Sequence, residues 1–87
     1  MFIILVYDIG EKRVQKVLKT NRKYLHWVQN SVFEGEISDA DLIKLKFELH
    51  KIINEDEDSI LLYLFRSTRY SQRESMGIIK GGQNLFL

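Results

Sequence analysis

The 87-residue chain has no cysteine and no proline, and holds only 5 glycines and 1 tryptophan. Without cysteine, neither a disulfide nor a thiolate-held metal can brace the fold, and a reducing cytoplasm is the expected setting. Without proline and with so few glycines, no stretch reads as an interdomain linker, an internal repeat or a low-complexity tract. A long hydrophobic run is missing too. The apolar segment at residues 2–7 is far shorter than the roughly 20 residues a membrane span needs. It has no basic residue ahead of it and ends on Asp8, so it reads as a strand and not as a signal or an anchor.

What is present is globular: 45% of the residues are hydrophobic, in a chain of single-domain length. A domain this small buries only a little over ~60% of the surface its unfolded chain exposes, so it is expected to be marginal alone. The net charge of +1 hides a strong division along the chain. Residues 11–33 hold six bases (Lys12, Arg13, Lys16, Lys19, Arg22, Lys23) against one acid, Glu11. Residues 34–58 hold nine acids against three bases, and residues 59–87 are again basic. The molecule is electrically two-sided.

Hydrophobic periodicity predicts the elements. Residues 2–7 form an unbroken apolar run rich in strand formers. From Glu11 to about Tyr24, Val14, Val17, Leu18 and Leu25 keep helical spacing, while Lys12, Lys16, Lys19 and Lys23 line a different face. "HWVQNSVFEGEI" at 26–37 reads as two short strands with a tight turn, or as one strand with a bulge. "SDAD" at 38–41 is a capping signal for a second helix whose core stripe is Leu42, Leu45, Leu49, Ile52 and Ile53. Glu55 to Asp58 form an acidic loop, "SILLYLFR" at 59–66 is a strand, and "MGIIKGGQNLFL" offers one or two short terminal strands. The order βαββαβ predicts an α+β, ferredoxin-like sandwich with both helices on one face of an antiparallel sheet.

That architecture leaves one sheet face without helices, yet both strands at 2–7 and 59–65 are apolar in both parities. The expected cover is a second copy of the chain, a homodimer, with the tail at 76–87 crossing to extend the partner's sheet as an additional C-terminal strand.

Asp8 has two readings. With Glu11 three residues later it forms a capping-box pattern for the first helix. Alternatively, brought near its symmetry mate in a dimer, it offers hard oxygen ligands for Mg²⁺ and a catalytic site for phosphodiester hydrolysis. The lysine stripe is either a solvated face or a backbone-directed nucleic-acid surface, the latter favoured by the scarcity of acids among its bases. Arg66, Arg69 and Arg73, with Tyr70 among them, are candidates for further phosphate contacts or stacking. His26 and His50 have no companion at metal-ligand spacing, and Trp27 and Phe33 read as core or dimer contacts. No P-loop, GxGxxG or serine-elbow pattern is present.

Taken together, "VYDIG" after an apolar strand, Arg13 early in the first helix, "WVQNSVFEGEI", "DEDSILLYLFR" and "GIIKGGQNLFL" resemble the small CRISPR-associated protein of the adaptation machinery, partner of the CRISPR integrase. The resemblance covers nearly the whole chain, and "HWVQNSVFEGEI" with the tail resembles the type I-B branch. It implies a homodimer with a Mg²⁺ site at the Asp8 pair, metal-dependent endonuclease activity on RNA or DNA, and a bridging role between integrase subunits in spacer acquisition. The nucleic-acid partners it implies are duplex DNA and single-stranded RNA. It carries Asp8 over as metal ligand, Tyr7 as its strand neighbour, Arg13 as a phosphate contact and Phe33 as part of the hairpin. Many relatives have arginine before the Val-Gln of the motif; this chain has Trp27, which favours a scaffold over a nuclease. A toxin-like ribonuclease of the same fold is the third reading.

Overall fold

The order of elements is β1 (Phe2–Asp8), α1 (Glu11–Tyr24), β2 (His26–Gln29), β3 (Val32–Glu36), α2 (Asp39–Ile52) and β4 (Ser59–Phe65). The computed structural model describes residues 1–66 and 74–78. The four strands form one antiparallel sheet in the order β2-β3-β1-β4. This is the α+β, ferredoxin-like sandwich that the periodicity predicts. The expected tail strand falls almost wholly outside the described residues, which include only 76–78 of it, exposed and irregular.

Local chemistry explains most of the boundaries. At the start of α2 the Asp41 N–H donates to Ser38 Oγ at 3.1 Å, satisfying one of the orphan donors of the first turn. The β2–β3 hairpin contains both features that the sequence leaves as alternatives. Its turn holds Asn30 at φ 45°, a left-handed conformation asparagine tolerates, and the register shifts between Trp27 and Gln29. That shift is why apolar parity slips between Val28 and Phe33. At α1 the capping expectation is overturned: the N-cap is Gly10, with no side-chain cap, so the Asp8–Glu11 box does not form.

The core lies between the sheet and the helices. Ile3, Leu5 and Tyr7 of β1 and Phe33 of β3 meet Val17, Leu25, Leu42, Leu45 and Leu49. Full burial of each aliphatic side chain contributes roughly 1.5–3 kcal/mol. A polar side chain, Asn21 of α1, is fully buried here, and both polar atoms of its amide lack a hydrogen-bond partner among the described residues.

The opposite face carries the other parity of the same strands. Phe2, Ile4 and Val6 lie directly across from Phe65, Tyr63 and Leu61, and opposed residues of a ladder share a face. The Phe2 end is closed over, with the Phe2 and Phe65 ring centroids 6.4 Å apart. Leu61 and Tyr63 are each 52% exposed. Neither helix reaches this surface, because both are held on the inner face.

Candidate functional site

Asp8 is the last residue of β1 and sits opposite Ser59, the first residue of β4. By strand alternation it belongs to the outer face, in line with Ile4 and Val6. It is exposed, and its carboxylate has no hydrogen bond or ion pair among the described residues. A free carboxylate suits a hard cation such as Mg²⁺ in ligand type. The number is insufficient within one chain: no group of three or more potential metal-ligating side chains exists among the described residues. Asp8 therefore fits such an ion only if another molecule completes the ligand set.

Behind Asp8 lies a different carboxylate. Asp58 immediately precedes β4, and its side chain is withdrawn from solvent. It accepts four hydrogen bonds: Gly10 N–H at 2.8 Å and Arg13 Nη2 at 2.9 Å on Oδ1, and Arg13 Nε at 2.5 Å and Asn54 N–H at 2.8 Å on Oδ2. Arg13 Nη2 also donates to Glu57 at 3.0 Å. The Arg13 hydrogen bonds hold the Asp58 carboxyl well below the usual carboxylate range, burial opposes this, and the Asn54 and Gly10 N–H groups reinforce it. Reciprocally, the hydrogen bond to Asp58 raises the Arg13 guanidinium above its already high ordinary value. The backbone at Gly10 runs close beneath the fork. A Cβ there would meet Arg13 Nη2 at 2.5 Å.

Of the predicted basic residues, the structure separates those that are free from those that are engaged. Lys12, Lys16 and Lys19 of α1 are exposed and have no ion pair among the described residues, as does Arg22. Lys23, at the end of the stripe, is instead bonded to Glu48 of α2, which also accepts the Tyr24 hydroxyl. Lys23 first, then Tyr24, lowers the Glu48 carboxyl from its ordinary value. Arg13 is held in the Asp58 fork and bonded to Glu57 of the acidic loop. Arg66 lies 3.5 Å from Asp39, with both side chains exposed. Arg69, like Tyr70 and Arg73, lies outside the described residues.

The remaining candidates settle as structure. His26 and His50 are both exposed, and His50 Nδ1 lies 3.3 Å from Glu55. Phe33 is fully buried, whereas Trp27 is 39% exposed and donates from Nε1 to the Asn30 carbonyl at 2.9 Å. Tyr7 is buried beside Asp8, and its hydroxyl donates to the same carbonyl at 3.2 Å. Sequence reasoning misses Asp58, which reads as one of a run of loop acids. The available signal is its position, directly before an apolar strand and able to share the far end of the sheet with Asp8.

Known proteins match this arrangement along the chain. The family model described as CRISPR associated protein Cas2 matches residues 1–73. The CRISPR-associated endoribonuclease Cas2 of Dictyoglomus turgidum is 51% identical over 87 residues, covering 100% of both chains. A CRISPR-associated endoribonuclease Cas2 of Archaeoglobus fulgidus is 53% identical over 81 residues, covering 93% of this chain and 88% of its own. Among solved structures, a crystal structure of Cas2 superposes with a TM-score of 0.84 at 40% identity, covering 100% of this chain and 98% of that one. Cas2 of Streptococcus pyogenes at pH 6.5 gives 0.77 at 33% identity, covering 88% and 100%. With the family model spanning most of its length and relatives at half identity, the chain belongs to the Cas2 family of CRISPR-associated proteins.

Proposed function

We propose that this chain works as a homodimer in CRISPR adaptation, that its paired Asp8 carboxylates hold Mg²⁺, and that it cleaves phosphodiester bonds in RNA or DNA. The reading rests on one observation: the Asp8 carboxylate, unpartnered among the described residues, stands at the end of an apolar sheet face whose Leu61 and Tyr63 nothing in the described chain covers. Packing two such faces together removes Ile4, Val6, Leu61, Tyr63 and Phe65 from water and supplies the carboxylate that a single chain lacks. When bound, a divalent ion supplies a water of lowered pKa and positive charge for the phosphoryl oxygens. Tyr7, fixed between the core and the Asn30 carbonyl, keeps the end of β1 in place beside it. The name endoribonuclease carried by the relatives supports the activity.

Lys12, Lys16 and Lys19 then hold the nucleic-acid backbone. They are exposed, uncompensated and on the face of α1 turned from the core, where they can neutralise phosphates and release counterions. The contribution of Arg66 and Arg69 is of the same kind, and Lys23 is left to its bond with Glu48. The type I-B reading is supported by "HWVQNSVFEGEI" together with the tail sequence.

A second reading is favoured by Lys12, Lys16 and Lys19, which stand exposed on one face of α1 with no ion pair among the described residues. In it the dimer is a scaffold that holds duplex DNA for the integrase and cleaves nothing. Asp8→Asn tests the two together, assayed for Mg²⁺-dependent cleavage of labelled RNA and DNA and for spacer integration with the cognate integrase. The nuclease reading expects cleavage to fall to background. Cleavage by Asp8→Asn equal to that of the unaltered protein sinks Asp8 as the site, and no cleavage by the unaltered protein, with integration retained in Asp8→Asn, leaves the scaffold. Replacing Lys12, Lys16 and Lys19 with Glu is expected to weaken duplex binding and flatten its salt dependence; unchanged affinity at low salt returns the stripe to plain solvation.

A further inference from the structure

We infer that Asp58 is a positioning residue for Asp8, acting through Gly10 and Arg13 to hold the strand-to-helix turn in one geometry; the inference rests on the reading of Asp8 as the ion-holding carboxylate. The turn from Asp8 to Gly10 is three residues long, and two consecutive residues hold its ends. Ser59 pairs with Asp8 in the ladder, and the Asp58 carboxylate accepts the Gly10 N–H at 2.8 Å. Ile9 is thereby bracketed. The carboxylate also accepts the Arg13 fork from the first turn of α1 and the Asn54 N–H from just past the end of α2, so donors from three residues meet on two oxygen atoms.

Stability alone is a poor account of this arrangement. Withdrawing a carboxylate–guanidinium pair from water costs much of what the attraction returns, and a serine or aspartate cap at position 10 would satisfy the helix end without burying charge. The chain instead has a glycine at the N-cap, with space for Arg13 that a Cβ would occupy. What the fork provides beyond a cap is fixed direction: a bidentate planar pair resists rotation, and ligand carboxylates need that from the groups behind them.

Two variants test this by different routes. Asp58→Asn keeps the size of the side chain and weakens its hold on Arg13, whereas Gly10→Ala leaves Asp58 intact and wedges Arg13 away from the turn. Each is made in the unaltered protein and in the Asp8→Asn background. The readouts, taken at temperatures where each variant is fully folded, are Mg²⁺ affinity by calorimetry, amide exchange of Ile9 and Gly10, and kcat and KM for RNA cleavage. The inference expects faster exchange at both amides, Mg²⁺ affinity weakened roughly tenfold or more, and kcat lowered with KM little changed. It expects no further loss in either quantity in the Asp8→Asn background. Unchanged Mg²⁺ affinity and kcat in a folded variant with a loosened turn overturn the inference and leave the fork as a structural tie. If Asp58→Asn does not fold, Gly10→Ala decides between these outcomes by itself. If Asp8→Asn alone binds Mg²⁺ and cleaves as the unaltered protein does, the ion reading fails, and the inference fails with it for that separate reason.

Discussion

The two faces of the one sheet make the most instructive comparison in the molecule. Both are apolar along β1 and β4, built from alternating residues of the same strands. The inner face is closed along β1, where Ile3 and Leu5 have no exposure under Val17, Leu45 and Leu49, and opens at the β4 edge, where Leu64 is 48% exposed. The outer face is open at Leu61 and Tyr63 and carries the free carboxylate of Asp8. Similar composition with opposite burial means that hydrophobicity fixes only that a face must be covered; topology decides which face the chain covers by itself. The helices of a βαββαβ order can reach one side, so the other side is the one open to the proposed second copy.

Substitutions that act on one face and spare the other break this comparison most sharply. Leu61→Asp, which places one added carboxylate per subunit in the proposed dimer interface, is expected to weaken self-association on the order of a thousandfold or more. The far-UV spectrum should stay that of a folded chain, and light scattering across a dilution series measures the loss. Leu45→Ala, on the inner face, is expected to cost about 2–5 kcal/mol in urea unfolding of the chain and to leave the association of the folded molecules intact. If Leu45→Ala dissociated the protein without destabilising it, the assignment of the faces would be reversed.

The seam between the faces should respond to acid. Asp58 is held below the usual carboxylate range, so its ion pair contributes stability in full above the unfolded value of about 3.9. That contribution is lost as pH falls from there through the lower native value. Glu48, lowered by Lys23 and Tyr24, adds to the same window. Melting temperatures measured from pH 6 to pH 2 should fall steeply below pH 4 and less steeply in Asp58→Asn; equal slopes would remove Asp58 from the acid response. The smallest expected effect is a gain. Asn21→Leu replaces an amide with two unpaired polar atoms by an apolar side chain of similar size, and should raise inner-face stability by roughly 1 kcal/mol.

Much of this is legible in the residues alone, for physical reasons that also explain the rest. Strand and helix existence follows from periodicity, so β1, α1, α2 and β4 lie close to the ends their patterns predict, and the doubly apolar strands announce the uncovered face. Ser38 is readable because capping is local in sequence. The Asp8–Glu11 pattern misleads for the complementary reason: the group that completes the α1 entrance is Asp58, which is distant in sequence and indistinguishable in composition from Glu55, Asp56 and Glu57. The four lysines do share one face of a helix, as their spacing predicts. Their division into three free side chains and one bonded to Glu48 depends on how α1 packs against α2, which no single-helix pattern contains.

Sedimentation equilibrium of the unaltered protein at micromolar concentration and ordinary salt tests the pairing of outer faces most directly. The account predicts a species of twice the 10.3 kDa chain mass. A well-folded single chain persisting across that range would contradict it, leaving each Asp8 without its twin.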